Sequence, residues 1–232
     1  MSHHESSGHF DLFAEISDEG RSKLFQTLRI EQRKRTDFVW RQGDVARFFI
    51  ILIEGQLLSR YESEAGKTGA LGIWSSGDLV GLGDFVSSEQ RRHSSYCITD
   101  TRYLVLPFNQ IQKVYEEVPQ FRVVMLKAMS IRLRWMASLS AALETHSAPQ
   151  RIASVFLLFA ERFGKVGEGG IRFEMTLSDE RIAALTGVTR QFVNVTIHQL
   201  VDSGLVFRSG KSFLIPDMHR LEVNFFKNLS PS

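Results

Sequence analysis

The spacing of the apolar residues changes near the middle of this chain, and that change restricts the fold more than any other feature. Up to Pro107, apolar and β-branched residues form short or alternating runs, which are typical of β-strands. From Pro119 onward they recur every three or four residues, which is typical of amphipathic helices. The 232 residues therefore predict an α+β protein with a β-rich first part and a helical second part.

The first part contains short strand-like runs separated by glycine turns. The runs are 37–40, 48–53, 56–61, 70–74 and 102–106. Gly43 and Gly55 lie between them, and such close spacing of turns is typical of a sandwich or barrel. We therefore expect a β-roll or jelly-roll sensor domain over residues 10–117, with a short helix that begins at Ser17 and covers one end.

A long helical pattern follows Pro119, with its apolar residues in two adjacent stripes. The first stripe comprises Phe121, Val124, Ala128, Ile131, Trp135 and Ala142, and the second comprises Met125, Met129, Met136, Leu139 and Leu143. One stripe suffices to pack a helix on a small β domain, so we expect the second to pack against a partner helix. Residues 118–147 thus predict the dimerisation helix of a homodimer. The alternative is a single helix buried in one core.

Residues 148–232 predict a separate C-terminal domain. Pro149 disfavours helix at the residue before it and suits a first helical turn, so we expect a hinge and then a helix over 150–163. The glycine-rich segment 164–170 predicts a loop, and residues 171–177 alternate like a strand.

Residues 178–200 carry the pattern of two short helices joined by a tight turn. Ser178 and Thr189 are good N-cap residues, and Gly187 suits the turn between the helices. Ala183 is small enough to let the helices cross closely. The apolar residues expected at the crossing are Ile182, Leu185, Val188, Val193, Ile197 and Leu200. Residue type and spacing together predict a helix-turn-helix motif.

The second helix of such a motif places its first turn in the major groove of DNA. Arg190, Gln191 and Asn194 lie on its outward face and are the candidate base-reading residues. The segment that follows predicts a hairpin wing that turns at Gly210. The candidate phosphate contacts are Ser178, Thr189, Arg208, Ser209 and Lys211. The alternative is a plain helical pair whose Arg190 is a solvated charge.

A β domain, a long helix and a winged helix-turn-helix in this order resemble the cyclic-AMP receptor protein and fumarate-nitrate reduction regulator (CRP/FNR) superfamily of bacterial transcription regulators. The most specific matching segments are 187–200, 203–206 and the sheet turns 41–44, 53–55 and 76–81. The resemblance covers nearly the whole chain. It implies a homodimer that binds a palindromic site on double-stranded DNA, contacts RNA polymerase and responds to a small-molecule effector in the β domain.

The resemblance also places a candidate effector pocket, in which this chain departs from the family's cyclic-nucleotide pattern. The residues at the corresponding positions are Gly81, Leu82, Arg91, Arg92, Met136 and Ala137. Leu82 stands where the family has the carboxylate that accepts the ribose hydroxyl. Met136 and Ala137 stand where the family has adenine-binding hydroxyls, and their side chains cannot make those hydrogen bonds. We therefore do not expect cyclic AMP to bind in the usual way.

The sequence leaves the chemical nature of the effector open. Arg91 and Arg92 suit another anion, because paired guanidiniums bind phosphates and carboxylates, but they also fit a solvated polar loop. Haem is a less favoured alternative: His93 is nearest the pocket, and no Cys-x-x-Cys-His attachment motif occurs. The family's iron–sulfur sensors carry several cysteines near the amino terminus, where this chain has none.

Composition excludes several other classes of protein. The single cysteine, Cys97, cannot form an intramolecular disulfide or a Cys-rich metal site, and it favours a reducing cytoplasm. The longest strongly apolar run, 48–53, is too short to span a membrane, so we expect no membrane partner. We find no phosphate loop, metal-binding histidine spacing or nucleophile elbow, which disfavours an enzyme and a metal site. The main alternative is a ligand-binding regulatory module that acts through protein contacts.

Overall fold

The computed structural model describes residues 11–66, 68–87, 89–174 and 178–226, with the side chains of residues 86, 87, 225 and 226 excepted. Contacts divide the chain into two units, one spanning Phe10–Leu133 and the other Arg134–Ser232. The boundary falls inside the long helix. The three-part division into residues 10–117, 118–147 and 148–232 stays a prediction.

Two four-stranded antiparallel sheets form the centre of the N-terminal unit. The strands are β1 (Arg29–Arg33), β2 (Phe38–Trp40), β3 (Phe48–Glu54), β4 (Leu57–Glu62), β5 (Thr68–Trp74), β6 (Leu79–Val80), β7 (Ser94–Cys97) and β8 (Thr101–Pro107). One sheet has the order β1-β8-β3-β6 and the other the order β2-β7-β4-β5. The turn at Gly55 carries the chain from one sheet to the other. The predicted β-rich first domain is confirmed.

Strands β3 and β8 are apolar on both faces because each lies between two cores. Phe49 and Leu104 face a core shared with the helices, whereas Ile50 and Tyr103 face the second sheet. The helices of this unit are α1 (Leu12–Glu15), α2 (Asp18–Thr27), α3 (Gly83–Ser87), α4 (Ile111–Glu117) and the first part of α5 (Phe121–Thr145). A 3-10 turn, Phe108–Gln110, precedes α4. Helix α2 begins after Ser17, as expected, and the Ser17 hydroxyl accepts a hydrogen bond from the Gly20 N–H.

Helix α5 buries one stripe and exposes another, but the exposed stripe differs from the predicted one. Met125 is wrongly assigned to the outward stripe, because it packs in the N-terminal core. The exposed apolar positions are Val123, Leu126, Met129, Leu133, Met136 and Leu143. The last five follow the alternating steps of three and four residues that define a coiled-coil seam, with Ser140 as the one polar position.

The C-terminal unit consists of a small sheet surrounded by helices. Its elements after α5 are α6 (Ala148–Phe163), β9 (Lys165–Gly167), β10 (Gly170–Glu174), α7 (Asp179–Thr186), α8 (Arg190–Asp202), β11 (Phe207–Ser209), β12 (Ser212–Ile215) and α9 (Met218–Phe226). The sheet order is β11-β12-β10-β9. Phe156 of α6 packs edge-on against Phe173 and Phe213 of the sheet, so three aromatic rings hold α6 to it.

Two predictions in this unit need correction or fall outside the structure. The segment 164–170 is not wholly a loop, because its first residues form β9, an exposed edge strand without an apolar pattern. Residues 175–177, expected to continue the strand, and residues 227–232 lie outside the described residues. Within the described part of the chain, none of the helices has the length and apolar character needed to cross a membrane.

The turn at Gly55 gives a test of the N-terminal fold. Gly43 and Gly55 both have a φ near +90°, but only Gly55 has close neighbours: a Cβ there would overlap the Asp100 carbonyl and lie 2.8 Å from the Thr101 Cα. We expect Gly43→Ala to lower the free energy of unfolding by about 1–2 kcal/mol from backbone strain alone. Gly55→Ala should cost clearly more, because backbone must move. Urea denaturation of both variants measures the difference, and equal losses would contradict the described packing.

Candidate nucleic-acid interface and effector pocket

A buried crossing of α7 and α8 positions the candidate DNA-reading helix. Gly187 ends α7 in the left-handed conformation, with φ 66°, and its N–H donates to the Ala183 carbonyl. From α6, the Arg151 Nη1 donates to the Thr186 carbonyl at 2.8 Å, which ties the turn to the neighbouring helix. The residues buried at the crossing include Ile182, Leu185, Val193, Ile197 and Leu200, whereas Val188 is only partly buried. The start of α8 is therefore held from both sides of the turn.

The two candidate N-cap residues behave differently. The Thr189 Oγ1 accepts a hydrogen bond from the Phe192 N–H at 3.2 Å and caps α8, as expected. Ser178 precedes α7, but its side chain does not cap that helix, which corrects the prediction. Instead, its hydroxyl donates to the Glu180 carboxylate. The pKa of Glu180 is lowered by a hydrogen bond from its own backbone N–H, by that from Ser178 and by the charge of Arg190.

The three candidate base-reading side chains are all exposed on the first turns of α8. Two of them contact the acidic first turn of α7. Arg190 Nη1 lies 2.9 Å from Glu180 Oε1, in an ion pair whose side chains are 70% and 55% exposed. Asn194 Nδ2 donates to Asp179 Oδ2 at 3.3 Å. Gln191 is exposed beside them. DNA that engages Arg190 and Asn194 must therefore displace these carboxylate contacts.

Sequence reasoning missed three further residues on the outward face of α8. Val195 is 50% exposed, Phe192 is 38% exposed and His198 is also exposed. Val195 and His198 follow Gln191 by four and seven residues, the spacing that places residues on one helical face. That spacing was the available signal, but valine and phenylalanine in an amphipathic helix are normally assigned to its buried side. An exposed valine here suits contact with a thymine methyl group.

The wing forms as predicted from strands β11 and β12, with Ser209 paired to Ser212 across the hairpin. Arg208 is folded back onto the wing: its Nε donates to the Gly210 carbonyl at 3.2 Å, and its guanidinium lies 5.4 Å from the Phe213 ring centre. Lys211 is exposed at the tip, and no ion pair with another described residue holds it. Of the two wing cations, Lys211 is the one available for a phosphate without rearrangement.

The arginines assigned to the effector pocket lie in contrasting surroundings. Arg92 is exposed, but Arg91 is buried, so the solvated-loop interpretation is wrong for Arg91. Arg91 Nη1 forms an ion pair with Asp84 Oδ2 at 3.0 Å. Burial lowers the pKa of Arg91, and the hydrogen bond and charge of Asp84 oppose that shift.

The other predicted pocket residues are not all brought together. Gly81 adjoins Arg91: its φ is +87°, and a Cβ there would lie 2.7 Å from the Arg91 Nη1. Leu82 packs in the core shared with the helices. Met136 and Ala137 lie on α5 in the C-terminal unit, and both are exposed.

His93 is half-buried in the N-terminal unit, near charged groups. Its carbonyl accepts a hydrogen bond from Trp40 Nε1 at 3.1 Å. Burial lowers the pKa of His93, the charge of Asp84 opposes that shift, and the charges of Arg132 and Arg91 lower the pKa further, which favours the neutral imidazole. No group of three or more His, Cys, Asp or Glu side chains among the described residues is arranged to hold a metal ion.

A separate cleft of about 460 Å³ lies in the N-terminal unit. It is lined by Gln32, Arg33, Lys34, Asp37, Glu54, Asp100, Thr101 and Arg102. Four of its charges pair within the cleft, Lys34 with Asp100 at 2.9 Å and Arg102 with Glu54 at 3.0 Å. None of the predicted effector residues lines it.

Comparisons with known proteins agree with this architecture. Residues 30–118 match the cyclic nucleotide-binding domain family, and residues 150–223 match the Crp-like helix-turn-helix domain family. Together these two matches cover most of the chain, including both units.

Relatives resemble the chain over most of their length. A CRP-like cAMP-activated global transcriptional regulator from Mycobacterium tuberculosis is 26% identical over 210 residues, covering 90% of this chain and 94% of the relative. The transcriptional activator protein anr of Pseudomonas aeruginosa is 25% identical over 184 residues, covering 79% of this chain and 75% of the relative.

A solved structure shares the fold. A CooA variant from Carboxydothermus hydrogenoformans superposes with a TM-score of 0.77 at 20% identity, covering 94% of this chain and 98% of that one. The relatives are transcription regulators, and the predicted resemblance is confirmed. By its two domain matches, its relatives and its fold, the chain belongs to the CRP/FNR superfamily of transcription regulators.

Proposed function

We propose that the protein is a homodimeric regulator that binds a palindromic site on double-stranded DNA and reads its sequence through α8. The observation that carries this proposal is the exposed first turn of α8, where Arg190, Gln191 and Asn194 project beyond a buried helix crossing. A helix held in this way can enter the major groove without rearrangement of its own backbone. The two half-sites should lie about one DNA turn, roughly 34 Å, apart from centre to centre.

Each exposed side chain of α8 suits a particular base edge. Arg190 can fork onto O6 and N7 of guanine, and Gln191 or Asn194 can pair with N6 and N7 of adenine. Val195 adds an apolar contact suited to thymine. Guanine offers Arg190 two acceptors in place of the Glu180 carboxylate. A base with a single acceptor does not compensate for loss of the Arg190–Glu180 ion pair.

Phosphate contacts fix the register of the helix on the duplex without reading bases. Lys211 and Arg208 on the wing supply positive charge. Ser178, Thr189 and Ser209 are candidate hydroxyl contacts, and the N-terminus of α8 adds the partial positive charge of a helix end. Since Arg208 is bonded to Gly210, we expect Lys211 to contribute more of the wing's affinity.

Arg190→Ala tests the base readout. We expect a loss of about 1–3 kcal/mol per half-site and a relaxed preference for one guanine, because the forked contact to O6 and N7 disappears. Selection of binding sites from a random duplex library with wild type and variant measures both effects. The proposed role fails if the variant selects the same motif with the same strength. A wild type that selects no motif would contradict sequence-specific binding altogether.

Lys211→Ala serves as the matched comparison for a phosphate contact. We expect weaker binding to every sequence alike and an unchanged selected motif. The logarithm of the DNA-binding constant falls linearly with the logarithm of the salt concentration, with a slope of roughly 0.9 per phosphate contact. If each subunit loses one phosphate contact, this slope should become less steep by about two for the dimer. Fluorescence anisotropy with a specific and a scrambled duplex over a salt series provides the measurement. A changed motif with an unchanged slope would assign Lys211 to base reading instead.

Homodimerisation through α5 is supported by its exposed apolar seam. Leu126 and Leu133 are 68% and 70% exposed, although leucines are normally buried. They alternate with Met129 and Met136 along one edge of the helix, the pattern that packs against an identical helix. Such an apolar stripe on a monomer marks an interaction surface. A dimer with two-fold symmetry also matches a palindromic site.

Charge placed in the seam should dissociate this dimer. Leu126→Asp with Leu133→Asp would bury like charges against their mates, at a cost of several kcal/mol. Ser138→Asp with Ala141→Asp adds the same charge at exposed positions off the seam, and this control should remain dimeric. Analytical ultracentrifugation distinguishes the species. A seam variant that sediments as the wild type does would rule out this helix face as the interface.

Effector control and contact with RNA polymerase are part of the same proposal, and family membership supports both. The mycobacterial relative is named as cAMP-activated, yet this chain has Leu82 in the core and apolar Met136 and Ala137 at the adenine-binding positions. We infer that the β domain responds to an effector other than cyclic AMP bound in the usual manner. Polar atoms of cyclic AMP left without hydrogen-bond partners would each weaken its binding.

A further inference from the structure

Within the described part of the N-terminal unit, Arg91 is the one fully buried arginine side chain that forms an ion pair with a carboxylate. Its side chain is 0% exposed and that of Asp84 is 4% exposed. Transfer of an unpaired guanidinium into such a place is strongly unfavourable, so the pair exists only as a unit. Arg91 also stands at the position where the sequence suggested an anion-binding arginine. The anion beside it in the structure belongs to the chain itself.

Both terminal nitrogens of the Arg91 guanidinium already have acceptors. Nη1 donates to Asp84 and lies 3.5 Å from the Gly81 carbonyl, and Nη2 donates to the Phe48 carbonyl. One face of the group lies 3.9 Å from the Trp40 ring centre. Nε alone has no partner within the described part of the chain. An external phosphate can therefore form the end-on fork to Nη1 and Nη2 only by displacing an acceptor that is already there.

Electrostatics leads to the same conclusion. A second anion beside Arg91 would place two negative charges against one buried positive charge, and like charges at short range in a weakly polar interior repel strongly. The ring of Trp40 closes one side, and the absence of a side chain at Gly81 is what makes room for Nη1. An incoming anion must displace the Asp84 carboxylate before it can bind.

We propose that Asp84 is the built-in anion of the β domain, and that it closes the Arg91 site to external phosphates and carboxylates. The anion that occupies this site is thus the carboxylate of Asp84. Removal of the Asp84 carboxylate should leave Arg91 buried and unpaired, which destabilises the protein and opens the site. A small external anion should then restore part of the lost stability by binding the folded state.

Anion rescue of Asp84→Ala tests this inference on the free protein by thermal unfolding. The probes are sodium formate and inorganic phosphate, each compared with chloride at equal ionic strength. We expect the Tm of Asp84→Ala to lie below that of wild type and to rise by about 3 °C or more with formate or phosphate. Wild type should shift by no more than the chloride series does. Asp84→Ser, which also removes the carboxylate and leaves room for an anion, provides the same readout if the alanine variant does not fold.

Two controls separate specific rescue from general stabilisation. Asp78→Ala removes another buried carboxylate, one that accepts a hydrogen bond from the Ser75 N–H at 2.8 Å, and its loss of Tm should not be rescued by anions. Asp84→Ala combined with Arg91→Met removes both charges and should lose the anion response. The inference is overturned if the double variant or Asp78→Ala responds as strongly as Asp84→Ala, or if Asp84→Ala does not respond.

Calorimetry also tests whether the wild-type protein binds cyclic AMP, whose phosphate is an external anion. Wild type should show no binding tighter than about millimolar, because the phosphate would compete with Asp84 and polar ligand atoms would lack partners. A micromolar dissociation constant for wild type would overturn the closed site. None of these measurements involves DNA. A negative result therefore does not contradict the proposed base readout by Arg190, and a failure of that readout does not contradict the inference about Asp84.

Discussion

Burial of β3 and β8 on both faces is the constraint on which the N-terminal unit depends. Each strand contributes alternate side chains to two cores, one against the helices and one against the second sheet. Such strands cannot shift register by one residue without exchanging the two sets of side chains. The turns at either end are therefore fixed as well, including the one at Gly55, which passes close to the Asp100 and Thr101 backbone. Arg91 is bonded to the Phe48 carbonyl at the start of β3, so its charge is built into this frame.

Much of the fold was predictable because its apolar pattern is strong. The runs that became β3, β4, β5 and β8, the cap at Ser17 and the helix-turn-helix around Gly187 all combine a clear period with a clear turn residue. β1 was missed because its sequence, Arg-Ile-Glu-Gln-Arg, is almost entirely polar and it forms an edge through pairing with β8. β9 was missed for the same reason, since all three of its residues are exposed. Edge strands take their structure from their neighbour rather than from their own pattern.

Some residues of the candidate sites could be predicted from the sequence, and others could not. The exposed positions Arg190, Gln191 and Asn194 follow from helical spacing after Thr189, and that spacing also contained Val195. The partner of Arg91 did not follow, because Asp84 lies on α3, seven residues before Arg91, and no periodic rule relates the two positions. For a similar reason Met125 was assigned to the outward stripe and Leu126 was left out of it. Adjacent apolar residues in a long helix differ by about 100° in direction, and only the packed core decides which of them faces inward.

Charge is used in opposite ways in the two units. The Arg91–Asp84 pair is buried, so a missing partner is costly and the pair stays closed. The Arg190–Glu180 pair is exposed and screened by water, and such pairs are weak. Glu180 Oε1 lies 2.9 Å from Arg190 Nη1, so its carboxylate competes with any DNA acceptor that approaches Arg190. In the proposed readout, guanine offers Arg190 two acceptors in place of the Glu180 carboxylate, whereas a base with a single acceptor offers one. In the proposed readout, Arg190 leaves Glu180 only where the replacement contact is at least as strong as this ion pair, and a base with a single acceptor does not provide one.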